Sequence, residues 1–239
     1  MIPLNRNRMK ILVIIPAYNE EKSLPGVIHD LRESVPSVDI LVVNDGSKDS
    51  TSHVARELGV SVLDLPFNLG IGGAVQSGYM YALRNNYDIA VQFDGDGQHV
   101  GKEIVKLLHP LEAGAADMVI GSRFLMPSNY KAPVFRSVGI WIFSFVLSRI
   151  MTTSITDSTS GFRAANQSVI EFFARNYPDD YPEVESLVLL HKVKKRIMEV
   201  PVTMRERTGG KSSITPLRSL YYMTKVLIAV FIDLMKKVR

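Results

Sequence analysis

An α/β domain with a mostly parallel central sheet flanked by helices is the fold the sequence predicts, on three observations. Short apolar runs, Lys10 to Pro16 and Asp39 to Ser47, close on a proline or on polar residues, as buried parallel strands do where they open into loops. The stretch between them has helical spacing. The polar motifs Asp45-Gly46-Ser47 and Asp94-Gly95-Asp96-Gly97-Gln98 directly follow such runs, and open α/β sheets bind their ligands at the carboxyl ends of strands.

The elements follow in order. After the first strand, Ser23 to Val35 carries Leu24, Val27, Ile28 and Leu31 at helical intervals, with Ser23 as N-cap and Pro25 in the first turn. The strand from Asp39 completes a βαβ unit. A second helix, Ser50 to Leu58, leads to strand Val60 to Leu65, and a third, near Gly73 to Asn85, to strand Asp88 to Phe93. Beyond it the pattern loosens. Met118 to Gly121 reads as a strand and Ile197 to Met204 as an edge strand, where Pro201 is tolerated. Val134 to Met151 and Leu217 to Met235 read as wide-faced amphipathic helices. Arg149, Lys225 and Asp233 deny both the ~20 uncharged residues that span a bilayer. They are expected to cover the sheet, dock on a second copy or a small membrane partner, or lie in a membrane interface.

Composition narrows the class. A chain of 239 residues, 46% hydrophobic and 22% charged, can bury one substantial core. The absence of cysteine excludes disulfides and thiolate zinc sites. The apolar segment Ile11 to Ile15 is too short for a signal peptide, so a cytoplasmic location is expected. From His191 to Arg239 twelve Lys or Arg face three acids, a bias that suits a phosphate-bearing ligand or an anionic membrane surface. No aromatic residues interleave with these charges in the manner of a base-stacking surface, so nucleic acid is not expected as a partner.

The run Gln92-Phe93-Asp94-Gly95-Asp96-Gly97-Gln98-His99 carries the clearest chemistry. In an extended chain residues i and i+2 project to one side, so Asp94 and Asp96 can share a hard divalent cation, with Gln98 beside them, against phosphate oxygens. A calcium loop would need Gly and Glu where His99 and Val105 stand. The alternative is an acidic turn without a ligand. Asp45 can accept hydrogen bonds from a base or ribose, or cap the helix that follows. Gly70-Ile71-Gly72-Gly73 fails the dinucleotide fingerprint because Val75 replaces its third glycine.

Together, Pro16-Ala17-Tyr18-Asn19-Glu20, Asn44-Asp45-Gly46-Ser47, Asn68-Leu69-Gly70-Ile71-Gly72-Gly73, Asp94 to His99, Gly121-Ser122-Arg123-Phe124 and Asp157-Ser158-Thr159-Ser160-Gly161-Phe162-Arg163 resemble the family 2 inverting glycosyltransferases, and among them the dolichyl- and polyprenyl-phosphate sugar transferases. The resemblance implies the GT-A fold, a single Rossmann-like domain over residues 1–215, with 216–239 a C-terminal amphipathic helix at a membrane or partner. It implies that Pro16, Tyr18, Glu20 and Asp45 hold the nucleotide of a UDP-, GDP- or dTDP-linked sugar, that the loop at Gly72 lies near its phosphate or sugar, and that Asp94, Asp96 and Gln98 bind Mg²⁺ or Mn²⁺. It further implies that a loop bearing Arg207 and Lys211 closes over the diphosphate. Glu183 and Glu185 fall where the family often has an acid.

The acceptor depends on the arginines. An anionic lipid phosphate needs cations to position it, whereas a sugar hydroxyl needs a base. Arg123 and Arg136 match family positions that hold an acceptor phosphate, and Arg163 lies in a matching Ser-Gly-Phe-Arg motif. The expected reaction is hexose transfer to a polyprenyl (undecaprenyl) phosphate at the inner membrane face. Transfer to a glycan hydroxyl stays open, with Asp157 as base, although Asp157 could simply orient Arg163. A nucleotide-sugar-binding subunit without turnover is the reading of another class. The nucleotide, the sugar, the choice of cation and any homo-oligomer are left open.

Overall fold

The computed structural model describes residues 9–125, 149, 155–179, 182–205 and 225. Among these residues seven strands form one sheet: β1 Ile11–Ala17, β2 Asp39–Asn44, β3 Ser61–Asp64, β4 Ile89–Gln92, β5 Met118–Ser122, β6 Arg163–Asn166 and β7 Ile197–Pro201. Their order is β3-β2-β1-β4-β6-β5-β7, with β7 at the edge. All pairs are parallel except those of β6, which runs antiparallel between β4 and β5.

The continuous apolar runs follow from helices on both faces. In β1, Leu12 and Ile14 pack into one buried cluster, Ile11, Val13 and Ile15 into the other, so neither side can be polar. Helices α1 (Leu24–Ser34), α2 (Thr51–Glu57) and α4 (Ile104–Glu112) cover one face. Helices α3 (Gly70–Arg84), α5 (Gln167–Arg175) and α6 (Pro182–Lys192) cover the other. Helix α3 lies so close to β1 that any Cβ at Gly78 would collide with Ile14.

The predicted strands and first three helices are present, with shifted ends. Helix α3 begins at Gly70 rather than Gly73, and Ser23 precedes α1 without a capping hydrogen bond from its side chain. Strand β6 and helices α4 to α6 went unrecognised in the sequence. The two proposed amphipathic helices lie outside the described residues, apart from Arg149 and Lys225. Among the described residues no helix is long and apolar enough to cross a membrane.

The sheet opens between β1 and β4. Ile14 is the last β1 residue paired with β4, while pairing with β2 continues to Ala17. Pro16 has no N–H to donate where β4 has turned away. Ligands of open α/β sheets bind in such a crevice.

Candidate active site

Asp94 and Asp96 follow β4 in a turn rather than in extended backbone. Strict strand alternation therefore does not carry from Asp94 to Asp96, which sits in the turn. Gly97, at φ +77°, permits it. The Asp94 N–H donates to His99 Nδ1 at 3.0 Å, His99 Nε2 lies 3.5 Å from Asp94 Oδ2, and Asp96 Oδ1 accepts the Gln98 N–H at 3.0 Å. His99 is buried, stacked on Phe162 at 4.7 Å and edge-on to Phe93 at 5.1 Å. Burial pulls its pKa down to about 4. The neutral ring is a post on which the acidic turn hangs.

Asp94, Asp96 and Gln98 are half-buried. No group of three or more His, Asp or Glu among the described residues could cage a metal alone. Two carboxylates and an amide oxygen nevertheless fit Mg²⁺ or Mn²⁺, whose coordination is commonly completed by substrate phosphates. The backbone of Gly161 closes on the same spot: a Cβ there would lie 3.1 Å from both Asp94 carboxylate oxygens.

The loops after β1, β2 and β3 are joined beside this turn. Pro16 is buried within β1, and its carbonyl would lie 3.4 Å from a Cβ at Gly95. Tyr18 is exposed. Asn19, at φ +58°, accepts the Lys48 N–H at 2.8 Å, and Glu20 accepts a hydrogen bond from the Ser23 hydroxyl. Asp45 is buried and accepts from the N–H groups of Leu69 and Gly70 at 2.6 and 2.9 Å. It thus holds the start of α3 and does not cap α2, whose first N–H, that of Thr51, donates to Asp49 at 3.0 Å. That tie accounts for the early start of α3. A Cβ on Gly46, at φ +67°, would lie 2.7 Å from the Asn68 nitrogen.

Gly72 is a close-packed position. It is buried, and a Cβ would lie 2.5 Å from the carbonyl oxygens of Pro178 and Asp179.

On the far side of the crevice Arg123, just after β5, is 6% exposed and Asp157 is 0% exposed. Asp157 accepts from Arg123 Nε and Nη2, both at 2.7 Å, and from the Arg123 backbone N–H at 3.1 Å. Asp157 therefore orients Arg123, not Arg163, and a carboxylate buried in a bidentate pair is poorly placed as a general base. Arg163 is corrected as well. Its side chain is 1% exposed, and the guanidinium donates to the carbonyls of Ser160, Ser158 and Glu183 and to the Ser186 hydroxyl, between 2.6 and 3.1 Å. It pins the turn before β6 to α6 and presents no donor edge to an acceptor.

Burial pushes the Glu183 carboxyl up, with Arg163 opposing. Glu185 is half-buried in the first turn of α6. Arg136, Arg207 and Lys211 lie outside the described residues. The sequence assigns no role to His99 at the end of the acidic run, nor to Glu199, whose carboxylate accepts from the Thr156 and Asp157 N–H groups. A lone acid inside the run Ile197-Met198-Glu199-Val200-Pro201 was the available signal for Glu199.

Comparison with known proteins adds relatives to this geometry. The family model described as glycosyl transferase family 2 matches residues 12–173. An undecaprenyl-phosphate mannosyltransferase of Micrococcus luteus is 33% identical over 217 residues, 87% of this chain and 88% of that protein. A UDP-N-acetylglucosamine–dolichyl-phosphate N-acetylglucosaminyltransferase of Methanococcus voltae is 34% identical, covering 80% of this chain and 84% of its own. Among solved structures, glucosyl-3-phosphoglycerate synthase of Mycobacterium tuberculosis, crystallised with Mn²⁺, UDP and glucosyl-3-phosphoglycerate, superposes with a TM-score of 0.72 at 21% identity, over 94% of this chain and 79% of that one. At that identity the match speaks for the fold.

Proposed function

Since this chain belongs to the family 2 glycosyltransferases, we propose that it moves a hexose from a nucleoside diphosphate sugar to a polyprenyl phosphate with the help of Mg²⁺ or Mn²⁺. One observation carries the reading. The turn from Asp157 to Gly161 touches both halves of the crevice: Asp157 holds Arg123, and Gly161 abuts Asp94. A sugar held above Asp94 is therefore within reach of an anion drawn to Arg123.

The bound cation would be held by Asp94, Asp96 and Gln98 and would neutralise charge on the departing diphosphate. Arg123 orients the acceptor phosphate. A phosphate oxygen attacks the anomeric carbon from the face opposite the diphosphate, the bond to the diphosphate oxygen breaks, and its electron pair leaves with the nucleotide. The configuration inverts. The acceptor is already an anion at neutral pH, so no base has to accept a proton. This agrees with an Asp157 committed to Arg123. Transfer to a hydroxyl would leave that reading without its base. The named activities of the relatives support a lipid phosphate, and such an acceptor implies peripheral contact with the inner membrane face.

The test is a panel of UDP-, GDP- and dTDP-sugars with Mg²⁺ or Mn²⁺, offered to undecaprenyl phosphate and read by mass spectrometry. A glycosyl phospholipid formed only with a divalent cation is expected. Product formed only on a glycan hydroxyl would overturn the acceptor.

A further inference from the structure

We infer that Glu199 is a positioning residue for acceptor binding: from the middle of the edge strand β7 it holds the turn through which Asp157 presents Arg123. The inference rests on the reading of Arg123 given above and adds the residue that sets its place.

The geometry is a directed chain. Glu199 pairs in register with Ile120 of β5, three residues before Arg123. Its Oε2 accepts from the Thr156 backbone N–H and from the Thr156 hydroxyl, both at 2.8 Å, and its Oε1 accepts from the Asp157 N–H at 2.8 Å. All three donors belong to the turn that carries the Arg123 partner. The Thr156 hydroxyl spends its proton on Glu199, so at its 2.7 Å contact with Ser122 Oγ it is the acceptor. Ser122 Oγ in turn accepts the Phe124 N–H at 3.2 Å. The residues on both sides of Arg123 are thus tied to the carboxylate that also fixes Asp157.

Burial pushes the Glu199 carboxyl up, and the hydrogen bonds from Asp157 and Thr156 oppose this by favouring the carboxylate. Three donors converge on two oxygens, and any group with a donor of its own faces one of them donor to donor. An edge strand offers a half-buried site for such an acid, since among the described residues β7 is paired on one side only. Fold stability alone does not call for it, because β7 is already held to β5 by its ladder.

The experiment compares Glu199→Gln, Thr156→Val and Arg123→Ala in the full chain. It measures separate KM values for donor and undecaprenyl phosphate, kcat, and the thermal midpoint. Arg123→Ala is expected to raise the acceptor KM at least about tenfold. Glu199→Gln is expected to raise it by a comparable factor with the donor KM within about twofold, and Glu199→Asp to recover part of the loss. Thr156→Val, which removes a single donor, gives a smaller rise in the same KM. In the double variant Glu199→Gln adds little to Arg123→Ala. If Arg123→Ala raises the acceptor KM while Glu199→Gln and Thr156→Val leave it unchanged, or lower the thermal midpoint alone, the inference about Glu199 falls and the acceptor reading stands. If Arg123→Ala leaves the acceptor KM unchanged, both fall together.

Discussion

The two walls of the crevice are built on opposite plans. On the β4 side, Asp94, Asp96 and Gln98 stay half-buried, and their turn is held from behind by a neutral histidine. On the β5 side the arginine is almost wholly buried and clamped by a carboxylate that is itself held by another. The Arg123–Asp157 pair is locked by direct side-chain hydrogen bonds, whereas the acidic turn is tied to His99 and to its own backbone. The difference suits the proposed reading, in which the half-buried turn would hold a cation and diphosphate and the clamped arginine would offer an anionic acceptor a prepositioned charge.

The sharpest way to break this contrast is Asp96→Ala. On the proposed cation role, loss of this carboxylate is expected to cost on the order of 10³-fold in kcat with the thermal midpoint nearly unchanged. Wild-type turnover by this variant would remove the acidic turn from the chemistry. Asp157→Ala should behave in the opposite way. It strands a buried guanidinium and is expected to destabilise the fold by about 3–5 kcal/mol, as read by urea denaturation. A loss of activity at unchanged stability would show that the pair is less buried in energy than in area.

Gly161→Ala probes the junction between the walls. Its Cβ would press on both Asp94 oxygens at 3.1 Å. We expect apparent Mn²⁺ affinity to fall roughly tenfold, in the range seen when groups around metal ligands are disturbed, while the urea midpoint moves little. An unchanged Mn²⁺ activation curve would place the cation away from Asp94.

The smallest effect is expected at the N-terminal ends of β5 and β7, where Asp117 and Arg196 form a pair with the arginine 58% exposed. Hydrogen bonding from Arg196 holds the Asp117 carboxyl down at about 2. A carboxyl depressed in the folded state adds stability above its unfolded pKa of ~3.9, and loses it as pH falls toward about 2. Asp117→Asn should flatten that acid slope and change stability at neutral pH only as a surface pair does. A large loss at pH 7 would mean that exposed and buried pairs in this sheet do not differ as supposed.

Much of the N-terminal half was legible in the sequence. Strands β1, β2 and β4 are buried on both faces and helices α1 and α3 turn one apolar side to the sheet, so residues 10 to 93 announce the βαβ pattern largely by period. Strand β6 was illegible because Arg163-Ala164-Ala165-Asn166 is short and carries little β-branched character. Its antiparallel place between β4 and β5 arises from pairing, not propensity. The site divided in the same way. Asp94 and Asp96 stood out by spacing, although strict strand alternation does not carry from one to the other. Arg163 was misread because a motif does not say which way its guanidinium points.

The sequence by itself determined the α/β class, the family and the identity of the acidic turn, because periodicity, glycine placement and closely spaced carboxylates are local properties. Only the tertiary structure decided which carboxylate serves which arginine. Asp157 and Arg123 are separated by 34 residues and Glu199 and Asp157 by 42, and no local pattern encodes a contact that the sheet order β6-β5-β7 alone brings about.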